Sequence, residues 1–245
     1  LTKILKRNTK LHCILGGAFI GDMAVPLAYI LKNNNNKKIH CFEVNKDAFS
    51  LLEKNIRVNK IKCIKANNNA LSNSNKDLFL NLTGSSLTSL TQRKTIYSQK
   101  FKTTTIDEYC LRNKIELLSF IHLDIENNEL LALQGSKKFL SLDKYRAPDI
   151  IFEFCNYFHA KNKNYTKKTI LNSSIILLLK KYGYNCYAIR DFSSNIGKSL
   201  NNIEIIPIEN IFHKPLNYCF NIYCTKNKKN ISLYNLKICK TVYIS

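Results

Sequence analysis

The 245-residue chain has no stretch of eighteen uncharged apolar residues; its nearest approach, residues 11–31, is interrupted by Gly16, Gly17, Gly21, Asp22 and Pro26. No membrane-spanning helix is expected. The basic start Lys3, Lys6, Arg7 and Lys10 imitates a signal peptide, but no continuous apolar run follows it, so secretion is not expected. None of the nine cysteines forms a C-x-x-C pair, which argues against a zinc knuckle. Cys13, Cys41 and Cys63 instead lie in short apolar runs, as buried thiols of a reducing, cytoplasmic compartment would. Acidic residues are scarce, 17 against 38 Lys+Arg, for a formal charge of +21. Much of that excess sits in Lys- and Asn-rich tracts at 33–38, 161–168 and 226–230, the product expected of an AT-rich coding sequence. A nucleic-acid surface would interleave basic and aromatic residues on one face, so nucleic-acid binding is kept as an alternative and not favoured.

What is present is a core's worth of apolar residues: 45% hydrophobic against 22% charged. A chain of this length and composition can bury most of its surface in one core. It is read as a single domain over 1–245, which a longer polypeptide could contain, since residue 1 is Leu and the only Met is Met23. Short β-type runs alternate with helical patterns. Residues 12–15 form an apolar strand entering a glycine turn, and Met23, Leu27, Ala28, Ile30 and Leu31 suit a helix. Residues 39–42 form the next strand, and Asp47 is expected to cap a helix running to about Asn59. Residues 61–64 supply a third strand, completing a β-α-β-α-β start of the kind that builds a parallel sheet. After a polar excursion over 71–101, Thr105 starts a helix, and the apolar run 117–123 predicts a strand covered on both faces. A helix from Leu130 to Leu140, a strand at 149–154, a helix over 170–182 closed by Gly183 and strands near 186–190, 203–206 and 218–224 complete the pattern.

In open α/β sheets ligands bind outside the carboxyl ends of the strands. After the first strand, Gly17-Ala18-Phe19-Ile20-Gly21 allows close backbone approach ahead of a helix. Glu43 ends the second strand 22 residues after Gly21, the spacing at which an acid holds a ribose diol. Ala18 breaks the full G-x-G-x-x-G, which favours a nucleoside-bearing cofactor without a pyrophosphate. Asp124, Glu126 and Glu129 follow the buried strand, and Glu153 ends the next one. Glu126 and Glu129 are also favourable charges at a helix start. A divalent metal on Asp124, Glu126 and Glu153 is the less favoured use of these acids, and no metal is assigned.

The order of these residues resembles the FkbM-type S-adenosylmethionine-dependent methyltransferases. The resemblance runs from about residue 11 to 155 through Gly17-Ala18-x-x-Gly21, Phe42-Glu43, Asn55 to Asn59, Ser85-Ser86-Leu87, Thr104-Thr105-Ile106-Asp107-Glu108, His122-x-Asp124-Ile125-Glu126-x-x-Glu129-Leu130-x-x-Leu133-x-Gly135 and Phe152-Glu153. It implies a Rossmann-like α/β fold: a mostly parallel seven-stranded sheet with an antiparallel last strand and helices on both faces. It also implies S-adenosyl-L-methionine as cofactor. By position, Gly17, Ala18 and Gly21 would face the methionine part, Glu43 the ribose, and Asn69 and Ala70 the adenine. Asp124 and Glu126 would line the transfer site and accept a proton, with His122 as the third candidate base.

Three positions depart from the family pattern: Leu15 replaces an Asp, His122 a Lys and Asn127 a Gly. The activity implied is methyl transfer to a hydroxyl, of a small molecule or a glycan, with most of the gain coming from positioning. The alternatives are a catalytically degenerate domain, for which the missing acid at Leu15 speaks, and a basic nucleic-acid-binding relative. No membrane partner is expected.

Overall fold

The computed structural model describes residues 12–31, 37–81, 90–91, 98–154, 173–189, 203–212, 220–238 and 242–243. Ser85, Ser86 and Leu87, the tract 161–168, the basic start of the chain and the first turn expected of the 170–182 helix lie outside them. The chain divides into two compact units, the first holding residues 1–142 and 146–148 and the second 143–145 and 149–245.

In the first unit the elements follow the order β1 (His12–Gly16), α1 (Ala24–Ile30), β2 (Lys38–Phe42), α2 (Lys46–Val58), β3 (Ile64–Asn67), β4 (Ala70–Leu71), β5 (Asp77–Asn81), β6 (Leu90–Thr91), β7 (Ser98–Thr104), α3 (Ile106–Arg112), β8 (Leu118–Leu123), α4 (Glu129–Gln134) and α5 (Lys137–Leu140). Four strands lie parallel in the order β8-β1-β2-β3. All six residues of β8 are buried, as its unbroken apolar run requires. The register sets Leu15 beside Cys41 on one flank and beside His122 on the other. Cys13 and Cys41 are buried free thiols, whereas Cys63 is only half-buried.

Three local expectations shift, each for a visible reason. Asn45, not Asp47, caps α2: its backbone is extended and its side chain accepts from the N–H groups of Asp47 (2.9 Å) and Ala48 (3.1 Å). The third strand begins at Ile64 because the Ile61 N–H still closes α2 through the Ile56 carbonyl at 3.0 Å. The expected helix from 130 to 140 is two helices broken at Gly135 and Ser136. A Cβ at Gly135 would lie 2.1 Å from the Ser72 carbonyl oxygen, so this glycine marks a close crossing of two segments. The same crossing explains the Thr-Ile-Asp-Glu sequence. Thr105 caps α3 by accepting from the Glu108 N–H at 3.0 Å, the Asp107 N–H donates to the Gly135 carbonyl, and the Asp107 carboxylate accepts from the Lys138 N–H at 2.9 Å.

The polar excursion contains a small sheet ordered β4-β7-β5-β6, in which β5 and β7 pair antiparallel. A partly buried polar string joins His12 Nδ1 to His40 Nε2 (3.0 Å), and His40 Nδ1 to the Tyr109 hydroxyl (2.8 Å). The Asn67 amide donates to that hydroxyl at 3.3 Å.

The second unit holds β9 (Asp149–Phe154), α6 (Ser174–Lys181), β10 (Asn185–Ile189), β11 (Ile203–Pro207), β12 (Ile211–Phe212), β13 (Phe220–Thr225), α7 (Lys229–Leu233), β14 (Leu236–Ile238) and β15 (Val242–Tyr243). Its main strands lie in the order β14-β11-β10-β13-β9. β13 runs antiparallel to both β9 and β10, and β14 then lies parallel to β11. The α/β class matches the expectation and β11 occurs where the run 203–206 predicts a strand, while β14 lies beyond the strands expected. Gly183, at φ +83, closes α6 as its position predicts. Among the described residues no helix is long and apolar enough to cross a membrane.

Candidate functional site

The carboxyl ends of β1, β2, β3 and β8 carry most of the residues singled out by sequence. At the end of β1 the backbone turns sharply, with Gly17 at φ +75 and Gly21 at φ +92. A Cβ at Gly17 would lie only 1.7 Å from the Asp124 carbonyl oxygen, so only glycine lets the ends of β1 and β8 meet. The Asp124 N–H donates to the Gly16 carbonyl at 3.1 Å across the same junction. The N–H groups of Gly17 and Ala18 both donate to the Phe42 carbonyl at 3.0 Å, tying the turn to the end of β2. Ala18 is buried and is not among the left-handed residues, so the backbone does not demand a glycine where G-x-G-x-x-G has one.

Glu43 is 8% exposed and completes the tie from the other side. Its Oε2 accepts from the Phe19 N–H and its Oε1 from the Asn45 N–H, both at 2.8 Å. Burial raises its pKa, while the N–H groups of Asn45, Phe19 and Val44 favour the charged form. Each oxygen keeps acceptor capacity beyond the one backbone bond. Two asparagines that sequence reasoning did not assign support this corner. Asn55, inside the Asn55 to Asn59 segment, donates to the Ile20 carbonyl at 2.8 Å and holds the glycine turn on α2. Asn68 donates to the Glu43 and Val44 carbonyls at 2.8 and 3.2 Å. Its neighbour Asn69 is half-buried, and Ala70 is buried at the start of β4 with Val44 packed against it. The only signal for Asn68 was the run of three asparagines at 67–69, too common in this chain to be informative.

Past β8, Asp124 is exposed, and its carboxyl is raised by partial burial and by the negative charge of Asp22. Glu126 is raised by burial and then by Asp124. Glu126 and Asn127 are both left-handed, at φ +52 and φ +69. That conformation accounts for the third departure, because a left-handed position favours glycine and Asn tolerates it better than most side chains. His122 is separate. It lies within the buried strand, 6% exposed, and burial holds its pKa down at about 4, so it is neutral at pH 7. The other two departures, Leu15 and His122, are register partners, both buried. A lone carboxylate at Leu15 would face a neutral imidazole; the two uncharged residues suit each other. Among the described residues no group of three His, Cys, Asp or Glu is arranged to hold a metal ion.

A glycine turn, an acid at the next strand end and an acidic edge stand together at the carboxyl ends of the parallel strands, where open α/β sheets bind their ligands. The methyltransferase FkbM domain model matches residues 16–186, and the chain belongs to that family. Its cofactor is S-adenosyl-L-methionine. A search of curated proteins returns no match. Similar solved structures include a precorrin-6y C5,15-methyltransferase from Geobacter metallireducens, 9% identical over 91% of this chain and 86% of that one, TM-score 0.46. A Streptococcus mutans protein in complex with SAH is 12% identical over 92% and 95%, TM-score 0.45. An rRNA methylase from Streptococcus thermophilus is 10% identical over 93% of both chains, TM-score 0.46.

Proposed function

We propose that this methyltransferase-family chain is an active O-methyltransferase whose acceptor is a hydroxyl of a sugar or glycan. The observation that carries activity is the tie between Glu43 and the glycine turn: one buried carboxylate fixes Phe19 and Asn45 while keeping lone pairs for a ribose diol. Gly17, Ala18 and Gly21 shape the wall for the methionine part, and Asn69 and Ala70 that for the adenine. The residues fit such a group chemically, because Asp22, Asp124 and Glu126 act on one another at this edge and their negative charge suits a cationic sulfonium. When bound, S-adenosyl-L-methionine supplies an electrophilic methyl group on that sulfur. The chain's own part is to orient the acceptor, exclude water and take up the hydroxyl proton. Asp124 and Glu126 suit the uptake of that proton, since both have raised pKa values and lie together past the end of β8. His122, enclosed in β8, is the weaker candidate. The sugar acceptor rests on the family resemblance, and a cytoplasmic location on the buried free thiols Cys13 and Cys41.

The test is incubation with methyl-labelled cofactor and a panel of free sugars, oligosaccharides and RNA, scoring label transfer. Label on a sugar hydroxyl supports the proposal. The +21 charge favours a second reading, RNA as the partner, which transfer to RNA or steeply salt-dependent RNA binding would support. Transfer to none of them, by a chain that binds no cofactor, would mark a degenerate domain.

A further inference from the structure

Glu129 is a buried acid that the proposed chemistry does not use. It is the first residue of α4, yet it is only 7% exposed, unlike an ordinary helix-start charge facing water. Its Oε1 accepts from the Ile125 N–H at 3.0 Å, back across the turn that carries Asp124 and Glu126. The N–H groups of Asn127 and of Glu129 itself also favour its charged form. The turn needs such support, because two consecutive non-glycine residues, Glu126 and Asn127, are left-handed. Asn128 helps from the other side, donating to the Ile125 and Glu126 carbonyls at 3.1 and 3.2 Å.

We infer that Glu129 is a positioning residue: its carboxylate, by accepting backbone N–H groups of the 124–128 turn, holds Asp124 and Glu126 in the arrangement that methyl transfer uses. This rests on the reading of that edge as the transfer site. It has a pH consequence. Burial and the charge of Asp124 push Glu129 up to about 7, against the pull of the N–H groups. Asp124, the acid that acts on it, is raised too, Asp22 acts on Asp124, and Glu126 is raised by burial and by Asp124. A carboxyl whose pKa is raised in the closed turn favours that turn when protonated, so the closed-to-open ratio falls as pH rises from about 4.5 to about 7 and is level above that, a loss of about tenfold per pH unit.

The direct test is amide hydrogen exchange at Ile125 and Asn127 in the free wild-type protein between pH 5.5 and 8, corrected for intrinsic rates. Protection at least tenfold greater at pH 5.5 than at pH 8, levelling off above about 7, is expected. Glu129→Gln, isosteric and non-titrating, abolishes that pH dependence. Equal protection at both pH values in the wild type, or an unchanged pH dependence in Glu129→Gln, overturns the inference. Exchange needs neither cofactor nor acceptor, so its failure leaves the methyltransferase reading standing. Failure of the cofactor to bind leaves the exchange result standing.

Discussion

Adding one methyl group at Gly17 tests the junction on which both sheet and site depend. In Gly17→Ala the new Cβ would start 1.7 Å from the Asp124 carbonyl oxygen. An ordinary C···O contact is about 3.3 Å, so strand ends must separate by roughly 1.5 Å. The Asp124 to Gly16 hydrogen bond spans the same gap. Overpacking of this kind costs about 1–3 kcal/mol. The left-handed φ of +75 adds about 1–2 kcal/mol for a side chain. The sum, about 2–5 kcal/mol, lowers the thermal midpoint by about 5–15 °C for a domain of this size. Gly183→Ala is the matched control, since Gly183 has φ +83 but nothing within 4 Å of its Cβ. It should show the conformational part alone, about 1–2 kcal/mol. Calorimetric thermal unfolding measures the difference, and titration with S-adenosylhomocysteine should show binding lost only in Gly17→Ala. Equal midpoints for the two variants, with Gly17→Ala still binding, would refute the clash argument.

Three further outcomes follow from other parts of the structure. Asn127→Gly should raise stability by about 0.5–1 kcal/mol and Asn127→Val lower it by about 1–2 kcal/mol, read by urea unfolding, because the position is left-handed. Leu15→Asp alone should cost about 3–5 kcal/mol as an unpaired buried charge, and Leu15→Asp with His122→Lys should recover much of it; additive losses in the double-mutant cycle would contradict the pairing of these positions. Acid should weaken the protein through His40, which burial, His12, Lys65 and Lys38 hold down at about 3. The unfolded imidazole takes a proton near 6.5, so this contribution is whole above that pH and declines as pH falls toward 3. At pH 5 the loss is about 2 kcal/mol, and a His40→Asn variant should show a shallower acid limb in urea titrations.

The legible parts of the molecule were those with local causes. The glycine turn, the acid ending β2 and the all-buried β8 follow from residue type and spacing, and each occurs where the sequence places it. Other features depend on contacts between distant segments. Nothing near Gly135 announces that Ser72 crosses it, and nothing near Leu15 shows that His122 is its neighbour. The third strand was displaced because Ile61 is claimed by the end of α2. Of the site acids, sequence distinguished Asp124 by its place after an apolar strand. It left Glu129 as a helix-start charge, since burial of a first-turn carboxylate depends on the fold of the turn before it.

The central claim is that the glycine turn and Glu43 form a working cofactor site, and its most direct test is calorimetric titration of the protein with S-adenosylmethionine and S-adenosylhomocysteine, repeated on Glu43→Ala. Removing Glu43 takes away the anchor of Phe19 and Asn45 together with the proposed ribose acceptor. Saturable one-site binding by the wild type, weakened at least a hundredfold in Glu43→Ala, is the expected result, about 3 kcal/mol. No binding by well-folded wild-type protein, or equal binding by both, would contradict it.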